Sequence, residues 1–371
     1  MKVGILTVFN ADNYGAVLQC YALQEFVKRE GVEVEVVNYT SPSMDVHWST
    51  FPFSQFSAAN TIKEKIVILL KFFLFFTYRY DRKKKFATFL KNKILVSAEK
   101  YDGVNNTIGD KYDLLIIGSD QLWSKSIFKM DPIYWGNFDR PKDVRVVTYA
   151  VSCGSIKNYT EEDILYIKKS LSNFFKISVR EDVLNQFISP FTNLNVETVL
   201  DPTLLLTCEH YSKLAKKPKD CPDKYILVYR IGESSFIDKL AKIASVYYGA
   251  KIVEVGNAMI TNKLRHPEYI QKTPSVEEFL GYFKYATCVL SKSFHGLVFS
   301  LIFKKQFYVV ESDIMDRVEN LMSIVKLENR IVKLGEEDKL KFDKIDFDDI
   351  DRRISCCREY SSSYLRSVLQ K

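Results

Sequence analysis

His295 and Gly296 follow the polar turn Ser291-Lys292-Ser293 and precede an apolar run that continues to Phe303. An imidazole exchanges protons near neutral pH, so a histidine placed this way is a candidate general acid or base. The apolar residues Cys288 to Leu290 read as a short buried strand and the run after His295 as a helix, which puts the histidine at a strand-to-helix turn. Open α/β sheets bind ligands there, outside the carboxyl ends of their strands. The helix start adds unpaired N–H groups and a partial positive charge that favour an anion. Lys292 and Ser293 would help hold that anion, and Gly296 gives the backbone room for it. The plainer alternative is a histidine that only stabilises its turn.

Other strand ends deliver similar chemistry. The first one runs into Asn10-Ala11-Asp12-Asn13-Tyr14-Gly15. Asn10 and Asn13 can both donate and accept hydrogen bonds, and with Tyr14 and Gly15 they could hold sugar hydroxyls or a phosphate. Equally, Asn and Asp here could simply form the turn and cap the next helix. Further along, Ser119, Asp120 and Gln121 follow a strand, Arg180 ends another, Asp201 leads into Pro202-Thr203, and Arg230 closes the first strand of the second half. Arg180 is the main candidate anion clamp, because a guanidinium forks onto carboxylate or phosphate, and Arg230 is a weaker one. Asp120 and Asp201 could exchange protons or serve as turn residues. Gln121 is a hydrogen-bonding candidate.

These positions imply a scaffold. Val3 to Phe9, Ala16 to Arg29 and Val32 to Tyr39 form a βαβ opening, with Gly31 placed to end the helix and no glycine-rich dinucleotide fingerprint. Asp113 to Ile117, Val144 to Ala150, Ile177 to Val179 and Val196 to Leu200 continue as strands. Thr160 with Asp163, and Ser275 with Glu278, have the spacing of capping boxes. Lys213 to Lys224 reads as a linker before a second alternating unit: strand Tyr225 to Ile231 ending at Arg230 and Gly232, helix Phe236 to Tyr248 stopped by Gly249, strand Lys251 to Val255, and strand Gln306 to Val310. The expected architecture is α/β, with two Rossmann-like domains facing a cleft. The first spans 1–212, with a helical insertion at about 41–111 standing off the sheet. The second spans 213–342, and a helical tail, 343–371, packs back on the first.

Composition narrows the function. The 371 residues are 47% hydrophobic and 27% charged, as in a soluble globular protein. A net charge of +7 suits anionic small molecules or a membrane surface, and no nucleic-acid-binding signature accompanies it. Seven scattered cysteines fit reduced thiols, no zinc-ligand spacing occurs, and no metal site is expected. With no signal peptide at Met1, the expected location is cytoplasmic. The stretch Ile66 to Lys85, greasy and then basic, allows peripheral contact with the inner face of the cytoplasmic membrane, while its greasy part, Ile66 to Phe76, is about half a bilayer span and is broken by Lys71, so it should not cross. The alternative is a core-packed helix with a solvated charged end.

Five stretches then occur in the order found in the polysaccharide pyruvyl transferase family, which the chain resembles over roughly residues 1 to 335. They are Gly4-Ile5-Leu6-Thr7 through Asn13-Tyr14-Gly15-Ala16-Val17-Leu18-Gln19, Ile117 to Trp123, Ser178-Val179-Arg180-Glu181, Asp201-Pro202-Thr203-Leu204-Leu205, and Ser293-Phe294-His295-Gly296. The resemblance implies a two-domain fold similar to GT-B glycosyltransferases. It also implies transfer of a pyruvyl group from phosphoenolpyruvate onto two hydroxyls of a sugar, as a ketal on a surface polysaccharide, capsule or exopolysaccharide or its precursor. The acceptor would be a sugar, a nucleotide-sugar or a lipid-linked oligosaccharide, with no cofactor beyond the donor. Members often carry an acid where this chain has Lys292, and distant members an arginine at Ser293. Two rival classes remain: a GT-B-type glycosyltransferase using a nucleotide sugar, and a non-catalytic sugar-binding or assembly protein. Cysteine-based enolpyruvyl transfer would need a thiol such as Cys153 at a strand end beside a base.

Overall fold

The computed structural model describes residues 1–44, 56–57, 59, 61–101, 108, 110–230, 234–256, 266–311, 315–337 and 340–370. Most of the Ser, Pro and Phe-rich patch before residue 61, and Gly232, lie outside them. The chain divides into two compact units, Met1–Leu205 with Cys357–Lys371, and Leu206–Cys356. The division falls at Leu205, seven residues before the expected boundary, because the helix Cys208–Leu214 packs with the second unit through Tyr211 against Phe299.

The first unit contains β1 (Lys2–Leu6), α1 (Tyr14–Arg29), β2 (Glu33–Tyr39), α2 (Ile62–Lys93), β3 (Val96–Tyr101), β4 (Leu114–Asp120), β5 (Arg145–Val151), α3 (Glu161–Ser170), β6 (Ile177–Val179), α4 (Asp182–Ile188) and β7 (Val196–Thr198). Its sheet has the order β3-β2-β1-β4-β5-β6-β7, with every pairing parallel. Residues 114–119 of β4 are buried throughout, which is why that strand reads as an unbroken apolar run rather than an alternation. The first turn departs from expectation. The run Thr7 to Phe9 looks like strand, yet β1 stops at Leu6, and the Gln19 amide donates to Thr7 Oγ1 at 2.9 Å and to the Val8 carbonyl at 3.2 Å.

The insertion also departs from expectation. Instead of standing wholly off the sheet, it returns as edge strand β3, and the C-terminal half of α2 is anchored by the buried Phe86 and Phe89. A capping box between Thr61 and Glu64 starts α2. From Cys357 onward the last helix belongs to the first unit: Ser361 Oγ accepts from Leu200 N at 2.9 Å and the Tyr364 hydroxyl donates to the Thr148 carbonyl at 2.8 Å.

The second unit contains α5 (Cys208–Leu214), β8 (Tyr225–Arg230), α6 (Ser235–Tyr248), β9 (Lys251–Gly256), β10 (Ile270–Lys272), α7 (Val276–Tyr285), β11 (Cys288–Ser291), α8 (Phe294–Ile302), β12 (Gln306–Val310), α9 (Asp316–Val325), β13 (Ile331–Val332) and the start of α10 (Phe347–Leu369). Its sheet order, β10-β9-β8-β11-β12-β13, again reverses beside its first strand. Both sheets are therefore doubly wound, with switch points at β1/β4 and β8/β11, the places where such sheets bind ligands.

Candidate active site

At the first switch point the sequence candidates separate into those that face inward and those left near the surface. Asn10 is exposed at the turn. Asn13 is the α1 cap, its side chain accepting from Gly15 N at 2.9 Å and Ala16 N at 3.4 Å, so this helix start is already occupied. Tyr14 is core rather than ligand surface, with its ring 4.8 Å from that of Phe86 and beneath the Arg82 guanidinium at 5.0 Å. Arg82, one of the basic residues at the end of the Ile66 to Lys85 stretch, is buried and donates to the Asp12 carbonyl at 2.6 Å. Burial raises the Asp12 carboxyl above its ordinary range, and Arg82 and Lys83 offset part of that rise.

Behind this turn lies a buried polar cluster built from five strand ends. Gly118 has φ +137°, and a Cβ there would sit 2.0 Å from the Tyr149 carbonyl, so only glycine lets β4 meet β5 so closely. Ser119 Oγ donates to the Ala150 carbonyl at 2.9 Å and accepts from Arg180 Nη2 at 2.5 Å. Thr7 Oγ1 donates to the Ser119 carbonyl at 2.9 Å, and Gln19 Oε1 accepts from Ser119 N at 3.2 Å. Arg180 pairs with Asp201 Oδ2 at 2.8 Å, while Asp120 Oδ1 stands 3.9 Å from its Nη1. Arg180 is thus not a freestanding clamp: its charge is matched inside the fold, and it holds the β4 end in place. Asp201 is consumed likewise, its Oδ1 accepting from Thr203 N at 2.9 Å and Thr203 Oγ1 at 2.5 Å, which argues against proton exchange with a substrate. Asp120 is the more exposed carboxylate of the cluster, and it accepts from Gln121 N at 2.9 Å.

At the second switch point, Arg230 corrects its expectation outright. The buried guanidinium donates through Nε to Glu254 at 2.6 Å, through Nη1 to the Ser234 carbonyl at 3.0 Å, and through Nη2 to Asp238 at 2.7 Å. Burial opposes its charge, but the two carboxylates outweigh burial and raise its pKa. Its charge is thus matched by two carboxylates inside the fold.

The neighbouring turn is built differently. Ser291 ends β11, where its Oγ accepts from Ser293 N at 2.9 Å. His295 lies in the first turn of α8, 6% exposed. A Cβ on Gly296 would sit 1.9 Å from Ser291 Oγ and 3.0 Å from Tyr229 Cδ1, so the glycine lets α8 seat directly on the ends of β8 and β11. Ser293, the α8 N-cap, makes no side-chain capping bond, in contrast to Asn13 on α1. Lys292 is half-buried on the same turn, and no carboxylate pairs with it among the described residues. A helix start whose N-cap residue makes no side-chain bond, next to a lysine and a histidine, can receive an anion and exchange a proton beside it.

The structure therefore brings Ser119, Asp120, Arg180 and Asp201 together in the first domain, and Lys292, Ser293, His295 and Gly296 in the second. Sequence reasoning gave no individual role in the site to Thr7, Gln19, Arg82 or Glu181, the last accepting from Ser152 Oγ at 2.8 Å. Gln19 had a signal, a polar residue amid the apolar positions Ala16, Cys20 and Leu23. Among the described residues no group of three or more His, Cys, Asp or Glu could hold a metal ion.

A family model described as polysaccharide pyruvyl transferase matches residues 13–314. The comparison with curated proteins gives no match. Among solved structures, the chain is similar to UDP-N-acetylglucosamine 2-epimerase from Rickettsia bellii, at 10% identity and a TM-score of 0.54, covering 100% of this chain and 96% of that one. It is similar to UDP-GlcNAc 2-epimerase from Methanocaldococcus jannaschii at 10% identity and a TM-score of 0.51, covering 100% of both chains. It also matches the S. aureus MnaA–UDP structure at 10% identity and a TM-score of 0.52, covering 99% of this chain and 96% of that one. At such identities these likenesses establish the fold, two Rossmann-like domains of the GT-B kind.

Proposed function

The chain belongs to the polysaccharide pyruvyl transferase family, which makes it a transferase, and from that premise we propose that it moves the pyruvyl group of phosphoenolpyruvate onto two hydroxyls of one sugar. The observation that carries this reading is the start of α8, where Lys292 and His295 flank a helix N-terminus whose N-cap residue, Ser293, makes no side-chain capping bond. Phosphoenolpyruvate carries a phosphate and a carboxylate, and one of them fits this positive helix end with Lys292 as its cation.

Protonation of the donor's methylene carbon makes the adjacent carbon electrophilic, and the first sugar hydroxyl attacks it and gives up its proton. The carbon–oxygen bond to phosphate then breaks, and the second hydroxyl closes the ketal as its proton leaves with the phosphate. One phosphate is released for each ketal formed. His295 is the general acid/base at the donor. On the first domain, Asp120, Asn10 and Gln121 are proposed as hydrogen-bonding groups for sugar hydroxyls. Arg180, fixed by Asp201 and Ser119, positions the Ser119–Asp120 segment.

The test is phosphate release from phosphoenolpyruvate with a panel of sugar acceptors, comparing the parent with His295→Ala. Acceptor-dependent release lost in the variant supports the assignment. Release at the parent rate removes the histidine from the reaction. Turnover of nucleotide sugars without any use of phosphoenolpyruvate would move the chain to glycosyl transfer.

A further inference from the structure

Helix α2 carries two faces with different fates. Toward its C-terminus, Arg82, Phe86 and Phe89 are buried, with Phe89 edge-on to Tyr21 at 5.8 Å and Arg82 bonded to the Asp12 carbonyl, so this end is fixed to the domain. On the other side, Ile62, Ile66, Leu70, Phe73, Phe76 and Tyr80 are exposed, Ile62 at 78%, Phe73 at 70% and Leu70 at 64%. At about 100° per residue these six fall within an arc of roughly 120°, opposite the anchored face. An exposed apolar stripe of that length marks a site of contact.

Its electrostatics choose the contact. From Ile62 to Lys93 the sequence holds ten Lys and Arg against two acids, Glu64 and Asp81, a net +8 in a chain whose total is +7. The remainder of the protein is thus close to neutral, and its positive charge is concentrated on this helix. Lys63, Lys65, Lys83 and Lys84 border the stripe. We propose that the exposed stripe of α2 is a docking face for an anionic phospholipid surface, with the apolar side chains entering the headgroup region and the bordering lysines meeting lipid phosphates. The helix lies on the bilayer and does not cross it, since no helix among the described residues is long and apolar enough to span a membrane. A second copy of the chain is the poorer occupant, because pairing two such stripes would set two +8 helices side by side.

The experiment is co-sedimentation of the full chain with phosphatidylglycerol/phosphatidylcholine vesicles and with phosphatidylcholine alone. The parent should bind the anionic vesicles and release them as salt rises. Leu70→Glu with Phe73→Glu should lower binding at least about tenfold. Lys63→Glu with Lys84→Glu, both at exposed positions, should do so by a similar factor while leaving the fold intact. The proposal is overturned if both pairs bind like the parent, or if the parent binds neutral vesicles equally well. It is also overturned if the stripe instead drives concentration-dependent dimerisation without lipid, abolished by the same substitutions. No donor or acceptor is present in this assay, so its failure would leave the transfer reaction untouched.

Discussion

Gly296→Ala is the substitution that most directly tests how His295 is held. The added Cβ would meet Ser291 Oγ at 1.9 Å, Ser291 Cβ at 2.6 Å and Tyr229 Cδ1 at 3.0 Å, whereas ordinary contact begins near 3.4 Å. Turning Ser291 Oγ away would break its bond from Ser293 N and still leave Ser291 Cβ at 2.6 Å, so relief requires a further displacement of about 0.8 Å. The strand side cannot supply it: Ser291 is paired in register with Tyr229 on one side and Val309 on the other. The start of α8 must move instead, carrying His295 with it. Overpacking of this kind costs about 1–3 kcal/mol, and the rigid neighbours put this site toward the upper end. A displacement of about 1 Å at a reacting group can cost on the order of a hundredfold in rate. Thermal melting and the kcat/KM for phosphate release should both fall, the second more severely. Adding Ser291→Gly removes the two closest atoms and should restore part of the stability lost, a positive coupling between the two sites. A Gly296→Ala protein with parental melting and parental activity would refute the close seating of α8 on β11.

Other outcomes follow from the same geometry. Arg180→Met should destabilise the first domain by about 3–5 kcal/mol because it strands Asp201 and Asp120 in the fold, and denaturant midpoints should show Arg180→Met/Asp201→Asn costing less than the sum of the single changes. Lys292→Met should raise the KM for phosphoenolpyruvate by about tenfold while leaving melting and the acceptor KM nearly unchanged, since it removes one cation from a half-buried turn. Asp12→Asn gives a pH signature. The folded-state pKa of Asp12 lies above the ordinary 3.8 because of burial, so the carboxyl favours folding below that value and its contribution is lost as pH rises through the raised pKa. The melting temperature of the variant relative to the parent should therefore climb as pH rises above 3.8 and then level off, and a flat difference across that range would contradict the assignment.

What the sequence disclosed was what short-range chemistry specifies. The capping boxes at Thr160–Asp163 and Ser275–Glu278 form as their spacing predicts, and Gly31 and Gly249 adopt positive φ just past the helices they end. Strand ends were legible because parallel strands buried on both faces are mostly apolar until they emerge. What stayed hidden depends on partners far away in the chain. Whether Arg180 grips a ligand or a carboxylate is decided by Asp201, and Arg230 is closed by Glu254 and Asp238. Arg82 looks like any member of a basic run until Tyr14 and Asp12, some seventy residues earlier, give it a buried seat. Thr7 to Phe9 have the apolarity of strand, and only Gln19 shows why they leave it. Local pattern thus located the turns, but not which of their side chains are paired inside the fold.

The central claim is that this chain forms a pyruvyl ketal. Mass spectrometry of candidate acceptor sugars, free, nucleotide-linked and lipid-linked, after incubation with phosphoenolpyruvate tests it most directly. The account predicts an acceptor heavier by one pyruvate less one water, matched mole for mole by released phosphate and lost in His295→Ala. Acceptors recovered unchanged while the same protein transfers sugar from a nucleotide donor would contradict it.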